Sequence, residues 1–346
     1  MSANAGASAA RAYPRRLSEL ARWEALIFVL IVATLIFGSG LSDRFLTLTN
    51  FSFASKDIAE IALMALPLAL IVITAEIDLS VASVLGLSSA VLGELWLAGW
   101  SMEAIIPVCL AIGALCGAFN AFCVTRLGLP SLAVTIGTLT MYRGLALVVL
   151  GDQGVTDFPA EWTRFGFEDI PGTSIPYPIA LVALLAVGLA VLLHATRLGR
   201  EIYAIGANEE AARFSGIRVK RIKSMLFVLS GTVAALAGIV YSLRLASARA
   251  NYGEGFELSV VAAVVLGGVS IFGGKGTILG VVLALILLGA IRSALTLGDV
   301  SQEWVLIVTG ALLIAAVLGP NLVQRVREAR AHRRDRDTWS APSGEG

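Results

Sequence analysis

Two carboxylates stand where the chain can least accommodate charge. Glu76 and Asp78, followed by Ser80, interrupt apolar sequence that runs from about residue 58 to 98. Charge inside an apolar span is costly, and such acids mark ion or solute pathways by default. The spacing also fits a plainer use. Asp78 or Ser80 would cap a helix starting near 81 by accepting from its free N–H groups. In both readings the span is broken. Irregular backbone at membrane depth must face protein or a water-filled cavity. Asn120, Thr135, Thr138, Thr140, Tyr142 and Arg143 add polar atoms to the middle spans. They either line a polar path or satisfy neighbouring helices. Arg143, about one turn inside an outer edge, is placed to snorkel outward.

Enzyme chemistry has little to work with. The two histidines, His194 and His332, fall at a span end and in a basic tail, which argues against a histidine metal cluster. Cys109, Cys116 and Cys123 recur every seven residues on one apolar helix. Neighbours sit about 10 Å apart along it, too far for a disulfide, so they read as small packing residues. The turn around Gly273-Gly274-Lys275-Gly276 invites comparison with a phosphate loop, Gly-x4-Gly-Lys-Ser/Thr. Val269 occupies the first glycine position and Gly276 follows the lysine, so the pattern fails. No metal or cofactor is expected on this chain. If ATP drives it, another subunit binds the nucleotide. Nothing in the sequence points to nucleic acid.

A third group of residues suits docking. Residues 197–223 form the one long, strongly charged segment between apolar blocks, with Arg197, Arg200, Arg213, Arg218, Lys220, Arg221 and Lys223. Its middle, Asn208 to Gly216, predicts a short helix. Asn208 suits the N-cap, Glu209 and Glu210 the positive first turn, Ala211, Ala212 and Arg213 the body, and Gly216 the stop.

The elements that position these residues are membrane spans. Hydrophobic residues make up 57% of the chain and charged residues 15%. Soluble domains carry about 25% charged. The pattern predicts an all-α, polytopic helix bundle of about ten crossings in lipid, with interrupted helices. Spans are expected near 24–41, 58–75, 81–98, 103–125, 131–150, 177–195, 224–246, 258–272, 277–297 and 303–319. The stretch 258–272 is short for a full crossing and fits a tilted or re-entrant helix. Nineteen Lys/Arg then fall on one side and four on the other. That bias makes the 197–223 side cytoplasmic, along with an N-terminal tail of 1–22, disordered over 1–12, and a basic C-terminal tail of 321–346. The first spans serve as the insertion signal, with no cleaved leader. Gly113-x3-Gly117 and Gly276-x3-Gly280 predict close helix contacts.

Four stretches, taken together, resemble the permease subunits of bacterial sugar-importing ABC transporters of the ribose/xylose/galactoside type. They are EIDLSVAS at 76–83, LPSLAVTIGT at 129–138 with YRG at 142–144, GREIYAIGANEEAARFSGI at 199–217, and VVAAVVLGGVSIFGGKGTILG at 260–280. The similarity covers roughly 25–320. It departs at Ala75 and Ala82, where the commoner pattern has glycine. The resemblance implies a multi-pass permease of the bacterial inner membrane that hydrolyses nothing itself. It implies a second permease, identical or a sister chain, a cytoplasmic ABC ATPase and a periplasmic sugar-binding protein. It also implies that 208–216 is the coupling helix, with Asn208, Glu209, Glu210, Ala211, Ala212, Arg213 and Gly216 as the matched residues. AEIDLSVAS looks most like rhamnose-type systems, with ribose and xylose next. Two rivals stand beside this reading. One is a branched-chain amino acid permease of the same architecture. The other is an ion-coupled secondary transporter built on Glu76 and Asp78.

Overall fold

The computed structural model describes residues 12–301 and seven scattered residues from 303 to 314, with side chains from Trp23 onward. Residues 1–11 and the tail 321–346 lie outside the described residues, and so does most of the expected span at 303–319. Among the described residues from Ala12 to Leu297 there are twelve helices: α1 Ala12–Leu41, α2 Leu48–Ile73, α3 Val81–Leu97, α4 Met102–Thr125, α5 Ser131–Leu150, α6 Ala160–Phe167, α7 Tyr177–Ala195, α8 Arg197–Ala207, α9 Glu209–Phe214, α10 Val219–Arg244, α11 Phe256–Leu266 and α12 Ile278–Leu297.

Six of them are long and apolar enough to cross a bilayer: α1 from Trp23, α4, α5, α7, α10 and α12. Ten crossings were expected. Helix α2, at 26 residues, is long enough but carries Lys56, Asp57 and Glu60. Helix α11 has 11 residues. That is about 16 Å of rise against a hydrocarbon core of about 30 Å, so 258–272 is no full crossing. Three helices outrun their expected starts. Helix α1 starts at 12 rather than 24, α2 at 48 rather than 58, and α10 at 219 rather than 224. Hydropathy registers only the lipid-compatible part of a helix, and polar residues continue its hydrogen bonding past that edge. The loop 151–176 likewise holds a helix, α6.

The centre is α2, α3 and α10. Every residue from Ala59 to Ile73 and from Val81 to Gly93 is buried. A helix apolar all round needs neighbours all round, and these two have them. Helix α10 packs on α2, α3 and α4. The expected glycine contacts form. A side-chain carbon on Gly113 or Gly117 has no room beside the Gly231 and Phe227 carbonyls of α10, and one on Gly280 none beside the Gly267 carbonyl. Cys109, Cys116 and Cys123 are buried and free, as packing residues.

The end of the bundle remote from α9 is tied by ions and backbone carbonyls. Arg244 donates to Glu60 Oε1 at 2.8 Å and to Asp57 Oδ1 at 2.8 Å, joining α10 to α2. Lys56 pairs with Asp169 at 3.2 Å. Arg143 does not snorkel. Its Nη1 donates to the carbonyls of Tyr252 at 2.7 Å and Ala250 at 3.4 Å, pinning the turn before α11. Two open carbonyls of an irregular turn lie within its reach, which the apolar span around it could not indicate.

Candidate functional site

The chain leaves helix α2 at Ile73 and resumes helix at Val81. Several polar groups between them are held by neighbouring helices. Ile77 N–H donates to Ser131 Oγ at 3.1 Å, and Thr135 Oγ1 donates to the Ile77 carbonyl at 3.2 Å. Helix α5 thus grips one residue of the break by both its N–H and its carbonyl. Thr138 donates to the Thr135 carbonyl at 3.4 Å, one turn further along.

Asp78 is 1% exposed. Its Oδ1 accepts from Ser80 N–H at 3.0 Å and Ser80 Oγ at 2.6 Å, and its Oδ2 accepts from Ser230 Oγ of α10 at 3.3 Å. The first contact closes an Asx turn at the start of α3. Ser80 occupies the N-cap position but its hydroxyl caps nothing. It donates to Asp78 and accepts from Asn120 Nδ2 at 2.8 Å. Tyr142 of α5 donates to the Cys116 carbonyl at 3.0 Å and also faces Asn120 Oδ1 at 3.5 Å. Four helices therefore converge on Asp78 through a buried polar chain, with no buried side-chain donor or acceptor left unpartnered among the described residues.

Ala75 sits at φ 63, the left-handed region that glycine tolerates and alanine does not. It is one of the two positions where the sequence departs from the family's commoner glycine. Ala75→Gly is expected to stabilise the permease by about 0.5–1 kcal/mol, since the left-handed cost of about 1–2 kcal/mol is partly offset by the greater freedom of unfolded glycine. Thermal unfolding in detergent checks this; an unchanged or lower midpoint counts against it.

The turn after α11 and the helix α8 close over the break. Gly274 N–H donates to the Ile73 carbonyl at 2.9 Å. Gly206 of α8 lies so close to that carbonyl that no side chain fits. Tyr203 donates to the Gly276 carbonyl at 2.6 Å, and burial pushes its phenol up to about 12, so it stays a donor. The glycines of the failed phosphate-loop pattern serve this close backbone approach.

Helix α9 follows at once. Asn208 Oδ1 accepts from Ala211 N–H at 2.9 Å, and Gly216 ends the turn at φ 84. The predicted short helix is present, with Asn208 as its cap. Ala212 is its buried residue, while Glu209, Glu210, Ala211 and Arg213 face out. Phe214 is 80% exposed, with the Arg213 guanidinium 5.8 Å from its ring. A half-open cleft beside α9 is lined by Arg126, Arg213, Arg218, Lys220 and Arg221, with a volume of about 530 Å³.

One lysine joins the two regions. Lys223, in the second turn of α10, is 5% exposed. Its Nζ lies 2.6 Å from Glu76 Oε1 and 2.6 Å from Glu209 Oε2.

Residues 51–317 match the family described as branched-chain amino acid transport system / permease component. The chain belongs to this permease family. The autoinducer 2 import system permease protein LsrD of Klebsiella pneumoniae is 34% identical over 306 residues, 87% of this chain and 92% of the relative. Its counterpart in Yersinia enterocolitica is 35% identical over 307 residues, 87% and 92% of the two chains. That of Photorhabdus temperata is 34% identical over 328 residues, 93% and 98%. No solved structure matches the chain. This permease is thus a multi-pass inner-membrane subunit of a monosaccharide-type ABC importer and is not itself an enzyme.

Of the residues singled out in the permease sequence, Glu76, Asp78, Ser80, Thr135 and Thr138 gather at one break, and Glu209 reaches it through Lys223. Arg143 does not belong there; it serves the opposite end. Sequence reading passed over Lys223, Ser230 and Phe214. Lys223 was one more basic loop residue, because that loop was taken to end where α10 is already one turn old. Its position four residues into a helix, beside an apolar run, was the available signal. No group of His, Cys, Asp and Glu suited to a metal occurs among the described residues.

Proposed function

We propose that this permease forms the translocation pathway for a small sugar-like solute, moved by alternating access and driven by a separate cytoplasmic ABC ATPase that grips α9. The observation that carries the reading is the exposed helix α9. Six residues cannot be a stable helix alone, yet this one is capped, fastened at Glu209 and presents a bare aromatic ring. Exposed aromatics at such a site are the anchors that partners bury. ATP is held by the ATPase, so the permease needs no cofactor of its own. A second permease and a periplasmic binding protein complete the importer, with the α9 end cytoplasmic and lipid around the bundle.

Autoinducer 2 is our first choice of solute, because the relatives above are named for it at 34–35% identity. Rhamnose, the expectation from AEIDLSVAS, has no such support and stands behind it with ribose and xylose. The ion-coupled alternative loses ground, because Glu76 and Asp78 are both engaged by protein partners. Uptake of labelled autoinducer 2, rhamnose, ribose, xylose and leucine by cells lacking this chain tests the assignment. Loss of autoinducer 2 uptake alone is expected. Loss of leucine uptake alone would move the chain to amino acid import, and accumulation by the purified permease in vesicles without ATPase would end the ATP-driven reading.

A further inference from the structure

We propose that Lys223 is a positioning residue for energy coupling: it fastens the docking helix α9 to the broken segment 74–80, so that displacement of α9 is delivered to α3. The inference rests on the docking reading of α9 above and names the link that reading lacks. The ammonium of one lysine, a residue 5% exposed, holds one carboxylate from each element at 2.6 Å. The Glu76 side chain is 15% exposed and that of Glu209 58%. The Glu76 contact is thus the inner one, shielded from screening, and the Glu209 contact opens to the side where a partner binds.

Little else joins α9 to the bundle. Helix α9 leans on α8 and α10, and Ala212 is its one buried residue. The break, by contrast, is over-determined: Ile77 is held by α5, Asp78 by α10, and Ser80 by α4 through Asn120. A segment gripped so fully moves as a unit with α3. Helix α10 adds reach, because it is ion-paired at both ends, to the break by Lys223–Glu76 at one and to α2 by Arg244–Glu60 at the other. A pull on Glu209 therefore meets an element that spans the bundle.

The test uses the permease assembled with its ATPase. Ala98→Cys, exposed at the far end of α3, carries an environment-sensitive fluorophore, and the native cysteines are buried and stay unlabelled. ATP with vanadate is expected to change the signal at position 98. Lys223→Arg should keep that response. Lys223→Met is expected to cut it about tenfold, within the range of couplings between distant sites, while the ATPase still co-purifies and hydrolyses ATP. The double variant Lys223→Met/Glu76→Gln guards against misfolding, since it leaves no lone buried carboxylate, and should lose the response equally. A full response in the double variant, or a loss in Lys223→Arg as large as in Lys223→Met, overturns the clasp. Failure of the ATPase to co-purify with the unmodified permease instead sinks the docking reading on which it rests.

Discussion

Trimming Phe214 to alanine is expected to weaken binding of the ATPase about 30-fold or more, the loss typical of a buried aromatic anchor at about 2 kcal/mol. The ring is 80% exposed on a helix that otherwise shows charge. No packing among the described residues accounts for an aromatic there. The substitution should leave membrane insertion and thermal stability unchanged, because a ring in solvent contributes little to the fold. Titrating detergent-solubilised permease with ATPase measures the effect. Glu209→Gln and Arg213→Gln belong to the same surface and should abolish uptake with insertion intact. Wild-type affinity in Phe214→Ala, or normal uptake in both polar variants, would take α9 out of the docking role.

Replacing Glu60 with alanine is expected to be the most damaging single change to the fold. Glu60 is fully buried on α2 and receives Arg244 Nε at 2.8 Å. Without it the only carboxylate left to the guanidinium among the described residues is Asp57, whose side chain is 60% exposed. Removing one partner of a buried pair costs about 3–5 kcal/mol, most of it for the charge left behind. The expected result is a sharp drop in thermal midpoint and in monodisperse yield. Glu60→Leu combined with Arg244→Met should recover much of that loss, since matched apolar replacement of a buried pair is often nearly neutral. A midpoint for Glu60→Ala within the wild-type error would mean that the pair contributes nothing.

The two effects differ in kind. On the proposed docking of α9, changes at Phe214 and Arg213 act on a partner and leave the permease intact, whereas changes at Glu60 and Arg244 act inside the bundle. Lys223 stands between, buried itself but paired with Glu76 inside and with the more exposed Glu209 on α9. Helix α10, ion-paired to the break at one end and to α2 at the other, gives these distant residues a shared support.

Much of the architecture was legible in the residues themselves. Apolar run length located α3, α4, α5, α7 and α12 within a residue or so, because a helix in lipid must be apolar for its whole crossing. The cap at Asn208 and the stop at Gly216 were legible for a local reason: the cap is a side chain bonding an N–H three residues on, and the stop is glycine's own tolerance of positive φ. The break at 74–80 was legible because charge and apolar sequence conflict there. Tertiary structure decided what these local signals could not. It turned Asp78 from an isolated acid into the hub of a buried chain through Ser80, Asn120 and Ser230. It sent Arg143 to carbonyls more than a hundred residues away, and it made Lys223 the bridge between Glu76 and Glu209. Hydropathy and capping are properties of neighbours along the chain. Ion pairing and polar satisfaction are properties of neighbours in space, and the chain reveals those only once it has folded.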